Sequence, residues 1–392
     1  MMQVWRQPAL FAAVVLVSAV AANSVALGQV GVHDDTIVFG QSAAFKGPAS
    51  ALGLGMREGI LAAFREANEA GGVHGRELRL ISYNDGYEPE KAIENTIRLI
   101  GEDEVFALVG EVGTPTSKAV QPIATERGVP FIGPFTGAAF LRDPALRNVV
   151  NVRASYNQET EAWIDYLTGD LGLTRIAILY QDDSFGRAGL SGVNAALEKG
   201  GMSLAAEGTY MRNTTAVKRA LLAIRKADPE AVVIVGAYEP AAEFIRLARS
   251  LGLDPVFMNI SFVGSKALAE HLGEDGQGVL VTQVVPLPED RATPLVAEYQ
   301  DALRAANPRA DFGFVSLEGY IVARLVIEAL QRIGREVTRS DFLSAIRAIE
   351  ELDLGGIVLS YGPQDNQGTD SVFLTEIRAD GTFKAVERLG TR

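Results

Sequence analysis

From Thr36 onward, β-rich runs and amphipathic helical runs alternate almost without a break. That alternation is the strongest constraint on the fold. Thr36–Gln41 is β-rich and leads through Lys46-Gly47-Pro48 into a helical stretch. There Ile60, Ala63, Phe64 and Ala67 recur at spacings of three and four, one face of a helix. Gly71-Gly72 ends it, because glycine takes the left-handed C-cap without steric cost. Strand runs follow at 77–83, 105–109 and 130–132, interleaved with helices opening at Pro89 and Thr114. The rhythm restarts with helix 158–171 and strand 176–180, then helix 185–199, strand 204–210, helix 215–226 and strand 232–235. Helix 240–251, strand 256–258, a short helix near Leu268 and strand 279–282 follow, then three helices at 294–306, 317–333 and 339–350. β-like runs at 357–360, 372–377 and 383–387 end the chain, with Asp380-Gly381 as a hairpin turn.

Strands joined by helices of 12 to 18 residues, as here, pair in parallel and give a doubly wound α/β sheet. The strands are too many for one comfortable unit, so the chain reads as two α/β lobes. Such sheets bind ligands beyond the carboxyl ends of their strands. The loops to watch are therefore 41–52, 110–117, 133–138, 181–186, 236–240 and 259–265.

Composition narrows the function. With 36 Lys+Arg against 49 Asp+Glu the formal charge is −13. That argues against nucleic acid, which needs a basic face, and against an anionic membrane surface. There is no cysteine, and the histidines are His33, His74 and His271, without metal-ligand spacing. Thiol chemistry, disulfides and Cys-type or His-type metal centres are excluded on this reading, and no cofactor is implied. Residues 1–28 read as a signal peptide. Arg6 precedes an apolar run from Ala9 to Ala22, and Ala26-Leu27-Gly28 offers a small-residue cleavage site ahead of Gln29. The run is shorter than the roughly 20 residues a spanning helix needs. The expected location is periplasmic.

The loop Gly110-Glu111-Val112-Gly113-Thr114-Pro115-Thr116-Ser117 puts three hydroxyls at a helix start. Free N–H groups and the positive helix end make it a cradle for a carboxylate or phosphate. The plainer reading is N-capping by Thr114 with Pro115 at the first helical position, which explains one hydroxyl and leaves two. Gly133-Pro134-Phe135-Thr136-Gly137 adds an aromatic and a hydroxyl at another strand end, and Phe185 and Tyr238 follow two more strands. Catalytic signatures are missing: there is no G-x-x-x-x-G-K-[ST] and no G-x-S-x-G. Gly53-x-Gly55-x-x-x-Gly59 is one residue too long for a dinucleotide fingerprint.

Several stretches carry a resemblance. These are Ser42–Pro48, Asn68-Glu69-Ala70-Gly71-Gly72-Val73-His74-Gly75-Arg76, Tyr83–Pro89, Tyr180–Gly186, Leu251-Gly252-Leu253 and Ser316–Tyr320. Together they resemble periplasmic solute-binding proteins of the leucine/isoleucine/valine-binding type, the receptors of ABC importers. The resemblance implies a type I periplasmic binding fold: two Rossmann-like doubly wound lobes joined by three crossing segments near 152–157, 283–288 and 362–371. One lobe would combine 30–154 with 286–363, the other 155–285 with 364–392. It implies a ligand in the interlobe cleft, hinge closure, no enzymatic activity, a monomer, and an ABC permease of the inner membrane as partner. Residue by residue, Thr114 matches the hydroxyl that holds a ligand carboxylate, with Thr116 on the same turn. Phe135, Thr136 and Gly137 fall on the segment that shares it. Leu52 and Phe185 fall at apolar walls, and Tyr238 at a contact to the amino end. The departure is Ser261, where amino-acid binders carry an acid for the ligand ammonium. Either Glu239, Glu111 or Glu318 replaces that acid, or the ligand has no amine, as Phe262 beside it would suit. A ligand-presenting sensory protein and a carboxylate-based hydrolase are the alternatives.

Overall fold

The computed structural model describes residues 29–386, so the leader reading of 1–28 and the end of the last β run at Glu387 lie outside the described residues. In chain order the strands and helices begin with β1 (Thr36–Ala43), α1 (Ser50–Glu69), β2 (Glu77–Asn84), α2 (Pro89–Gly101), β3 (Ala107–Val109), α3 (Thr114–Glu126), β4 (Phe131–Ile132) and β5 (Val149–Val150). Then come α4 (Tyr156–Ile164), β6 (Ile176–Gln181), α5 (Ser184–Lys199), β7 (Ala206–Tyr210), α6 (Lys218–Arg225), β8 (Ala231–Val235), α7 (Tyr238–Ser250), β9 (Val256–Asn259), α8 (Ser265–Leu272) and β10 (Leu280–Gln283). The chain finishes with α9 (Pro294–Ala306), α10 (Phe314–Ile333), α11 (Arg339–Arg347), β11 (Leu352–Asp353), β12 (Val358–Leu359), β13 (Phe373–Ile377) and β14 (Phe383–Ala385).

Two main sheets form, as the alternation requires. The first has order β2-β1-β3-β4-β5 and is parallel throughout. The second has order β14-β13-β10-β9-β8-β6-β7, parallel from β7 to β10, with β13 and β14 antiparallel at the edge. In each, the strand order reverses beside a central strand, which opens a crevice beyond the carboxyl ends. The chain passes between the sheets three times: from β5 into α4, from β10 into α9, and from β12 into β13. The first and third passes run side by side. Asn151 N–H donates to the Asn366 carbonyl (2.7 Å), and Gly368 N–H to the Asn151 carbonyl (2.9 Å).

Element edges differ from the sequence reading where turn chemistry decides. Helix α6 starts at Lys218 and not at 215, because Met211–Val217 is taken up in a turn, with Thr214 N–H donating to the Met211 carbonyl at 3.2 Å. The helix read as 158–171 starts at Tyr156, where Ser155 and Gln158 form a capping box, and its last turn, Asp165–Asp170, is π-helical. Among the described residues no helix is long and apolar enough to cross a membrane.

The glycines of α1 serve packing, not a nucleotide. A Cβ on Gly59 would lie 1.8 Å from the Ser316 carbonyl of α10, and one on Gly319 would lie 2.3 Å from the Met56 carbonyl of α1. The two helices thus touch backbone to backbone. Gly59→Ala should destabilise the protein by about 1–3 kcal/mol through overpacking, although alanine favours a helix by about 1 kcal/mol. Gly101→Ala, where a Cβ meets nothing within 4 Å, is the control and should be neutral or stabilising. Urea unfolding of both variants checks the contrast; equal stabilities would refute the close-crossing account.

Candidate functional site

The loops after β3 and β4 run on past the sheet as a paired segment. Val112 bridges Phe135 in parallel, and Phe135 N–H donates to the Glu111 carbonyl (2.7 Å). This pairing brings the Thr114 and Thr136 hydroxyls to 2.7 Å of each other, both buried. The N-cap of α3 is Gly113, with no side-chain cap, so Thr114 is the first helical residue and Pro115 the second. This corrects the capping reading: the Thr114 hydroxyl is not spent on its own helix. Gly113 has φ +108°, and a Cβ there would meet the Tyr87 ring at 2.2 Å, so only glycine fits. Thr116 behaves differently. Its hydroxyl donates back to the Val112 and Gly113 carbonyls (2.5 and 3.0 Å) and is taken up by the turn itself.

Five buried rings meet across the cleft. Phe262 lies 4.6 Å from Phe185, 5.3 Å from Phe135 and 5.9 Å from Tyr87, and Tyr156 lies 5.5 Å from Phe185. Phe185 is the second residue of α5, whose cap Asp183 accepts its N–H. Tyr87 sits in the loop after β2 with φ +64°, a left-handed conformation that costs a tyrosine free energy. Asp85 holds it there by accepting from Tyr87 N–H (2.7 Å) and from the Ser42 hydroxyl (2.8 Å). Gly137 gives Tyr156 its place: a Cβ would lie 2.5 Å from the ring, and the Gly137 carbonyl accepts Tyr156 N–H at 2.7 Å. The Tyr156 hydroxyl faces Thr114 and Thr136 but lacks a hydrogen bond of good geometry.

Beside the rings lies a buried ion cluster. Arg153, on the first crossing segment, stacks over Phe135 (4.9 Å). Its Nη2 reaches Glu159 of α4 (3.3 Å) and donates to the Ser261 hydroxyl, while its Nη1 faces Glu318 of α10 at 3.6 Å, too far for a hydrogen bond. Among the described residues Nε and Nη1 have no hydrogen-bond partner. Burial opposes the guanidinium charge, but Glu318 and Glu159 more than offset it and hold Arg153 above its ordinary range. Glu159 is saturated: one oxygen accepts from the Ser261 hydroxyl (2.8 Å) and Arg153, the other from Ser261 N–H (2.9 Å) and Thr282 (2.6 Å). Burial pushes the Glu318 carboxyl up to about 7, with Arg153 pulling the other way.

The structure thus brings Thr114, Phe135, Thr136, Gly137, Phe185, Ser261 and Phe262 around one centre. Leu52 and Tyr238 stand together to one side, about Gly264, where a Cβ would lie 2.6 Å from Leu52 and 3.5 Å from Tyr238. The Tyr238 hydroxyl accepts Ala51 N–H (3.3 Å). A cavity of about 200 Å³ opens beside Leu52 and Gly264, and one of about 420 Å³ is lined by Tyr156 together with Lys118 and Ser184. The acid that Ser261 touches is Glu159; Glu239, Glu111 and Glu318, the acids named as substitutes for pairing a ligand ammonium, take other positions. Glu239 stands in the first turn of α7, Glu111 accepts Ser42 N–H (3.0 Å), and Glu318 faces Arg153. Sequence reasoning missed Arg153, Tyr156 and Glu159, which lie on or next to a segment read only as a hinge, and Tyr87, in a loop not counted among the strand ends. Among the described residues no cluster of acids and histidines could hold a metal ion.

The elevated Glu318 carboxyl has a consequence for stability. A carboxyl whose folded-state value is raised favours the protonated native state. Its contribution is complete below the ordinary value of 4.5 and is lost as pH climbs to about 7. Glu318→Gln should flatten the decline in unfolding free energy over that window. A wild-type slope unchanged in the variant would contradict this.

The family model for periplasmic binding proteins matches residues 36–382. A leucine-, isoleucine-, valine-, threonine- and alanine-binding protein of Pseudomonas aeruginosa is 23% identical over 314 residues, which cover 80% of this chain and 83% of that one. The crystal structure of a possible leucine/isoleucine/valine-binding protein from Rhodopirellula baltica is 40% identical, with a TM-score of 0.86, covering 91% of this chain and 98% of that one. A fatty acid ABC transporter substrate-binding protein from Thermomonospora curvata shares the fold, at 20% identity and a TM-score of 0.83, covering 92% and 94%. With two doubly wound sheets, three crossings and a cleft between their carboxyl ends, the chain belongs to the periplasmic binding protein family, in its leucine/isoleucine/valine-binding type.

Proposed function

We propose that this chain is an exported receptor of an ABC import system that binds a small carboxylate-bearing ligand in the interlobe cleft. One observation carries the reading. Thr114, Thr136 and Tyr156 hydroxyls converge at the open N-terminus of α3, beside an arginine with two unpartnered nitrogens, all buried. Buried donors left unpaired cost free energy, and a carboxylate would satisfy them together with the free N–H groups of the helix end. The importer role is supported by relatives that are themselves described as binding proteins, one of them of an ABC transporter.

Closure follows from the same contacts. We take 30–154 with 286–363 and 155–285 with 364–392 as the moving bodies, hinged on the three crossing segments. Arg212 ties the two sides at the cleft edge, through Glu88 of the loop after β2 (2.8 Å) and Asp183 of the loop after β6 (3.1 Å). A ligand touching both sides favours the closed form by its differential affinity, and that form is what a permease would recognise.

Thr114→Ala should weaken the binding of whichever of L-leucine, L-phenylalanine, 4-methylpentanoate or 3-phenylpropanoate the wild type takes, by about 1–3 kcal/mol. Calorimetric titration of refolded, ligand-free protein reads this directly. Unchanged affinity would overturn the carboxylate assignment at α3.

A further inference from the structure

The environment of Ser261 restricts the ligand more tightly than the carboxylate reading on which this inference rests. An α-amino acid brings an ammonium that needs a carboxylate with lone pairs to spare. Glu159 has none to offer, since its two oxygens already accept from Ser261 N–H, the Ser261 hydroxyl, Thr282 and Arg153. Glu318 is the other acid in the cluster; it stands as the second counter-charge of Arg153 at 3.6 Å, and burial pushes its carboxyl up to about 7, which disfavours the charge an ammonium would pair with. Glu111, in the loop after β3, accepts Ser42 N–H on one oxygen, and burial pushes its carboxyl well above the ordinary range, which likewise disfavours that charge. The place where a ligand ammonium would lie is filled by the protein's own cation, Arg153, hydrogen-bonded to Ser261. A second cation there would face that guanidinium at close range in a buried site.

The unmet demand of the cluster has the opposite sign. Arg153 Nε and Nη1 are donors without acceptors, and an ammonium supplies none. The neighbouring rings of Tyr87, Phe135, Phe185 and Phe262, packed on one another at 4.6 to 5.9 Å between centroids, offer a surface that suits an apolar or aromatic body. From this geometry we infer that the ligand is a carboxylate with an aromatic or branched aliphatic tail and no amino group, Arg153 and Glu159 having taken over the subsite that would otherwise hold an ammonium.

Matched pairs test this on the refolded wild-type protein by calorimetry: 3-phenylpropanoate against L-phenylalanine, phenylacetate against phenylglycine, and 4-methylpentanoate against L-leucine. 3-Phenylpropanamide is included as a carboxylate-free control. The expected result is that at least one amine-free acid binds about 100-fold or more tighter than its amino acid partner. Amino acids binding equally well or better would overturn the inference and leave the carboxylate reading standing. The amide binding as tightly as 3-phenylpropanoate would overturn the carboxylate reading itself. Silence from all three amine-free acids would overturn the inference as well.

Discussion

The buried guanidinium of Arg153 is the interaction on which the site depends. It lies on a crossing segment and contacts Glu159 on α4, Ser261 after β9 and Glu318 on α10. A charge so placed is tolerated only because it is paired, and removing one partner of a buried pair costs about 3–5 kcal/mol. The cluster therefore fixes how the elements around both sheets meet at the cleft. It also leaves Nε and Nη1 without a hydrogen-bond partner among the described residues, Nη1 facing Glu318 at 3.6 Å, and on the proposed reading those donors give the site its preference for an anion.

The rest of the cleft complements that preference. The helix end of α3 contributes positive potential, and Thr114 and Thr136 contribute hydroxyls because Gly113, not Thr114, terminates the helix. The rings exclude water, which strengthens each polar contact they surround. The left-handed backbone at Tyr87, clamped by Asp85, shows local strain held in place to position one ring of that set. Arg212 spans the edge of the same cleft, so its ion pairs with Glu88 and Asp183 lie beside the contacts proposed to hold a ligand.

What the sequence disclosed and what it hid have a common physical basis. Strand and helix periodicity is local, so the α/β alternation and the strand-end loops that carry Thr114 and Thr136 were legible, while the pairing of those two hydroxyls was not. The partners of Ser261 were not. Glu159 lies 102 residues away and makes a contact that only the second sheet's topology creates. Arg153 stands in an apolar crossing segment, where one isolated arginine was the only sign of a buried charge. Tyr87 fell within the Tyr83–Pro89 stretch that carried the family likeness, but its ring was not read as part of the cleft. The glycines at 53, 55 and 59 already missed a dinucleotide fingerprint by one residue, and their use showed only in the structure: Gly55 and Gly59 at the crossing of α1 and α10, Gly53 against the Ala44 carbonyl.

The most direct test of the central claim is the identity of the small molecule released when the natively purified protein is unfolded. Mass spectrometry of that fraction should find a carboxylic acid that rebinds to the refolded chain, with its methyl ester failing to do so. A released ligand without a carboxylate, or an ester that rebinds as tightly as its acid, would contradict the account.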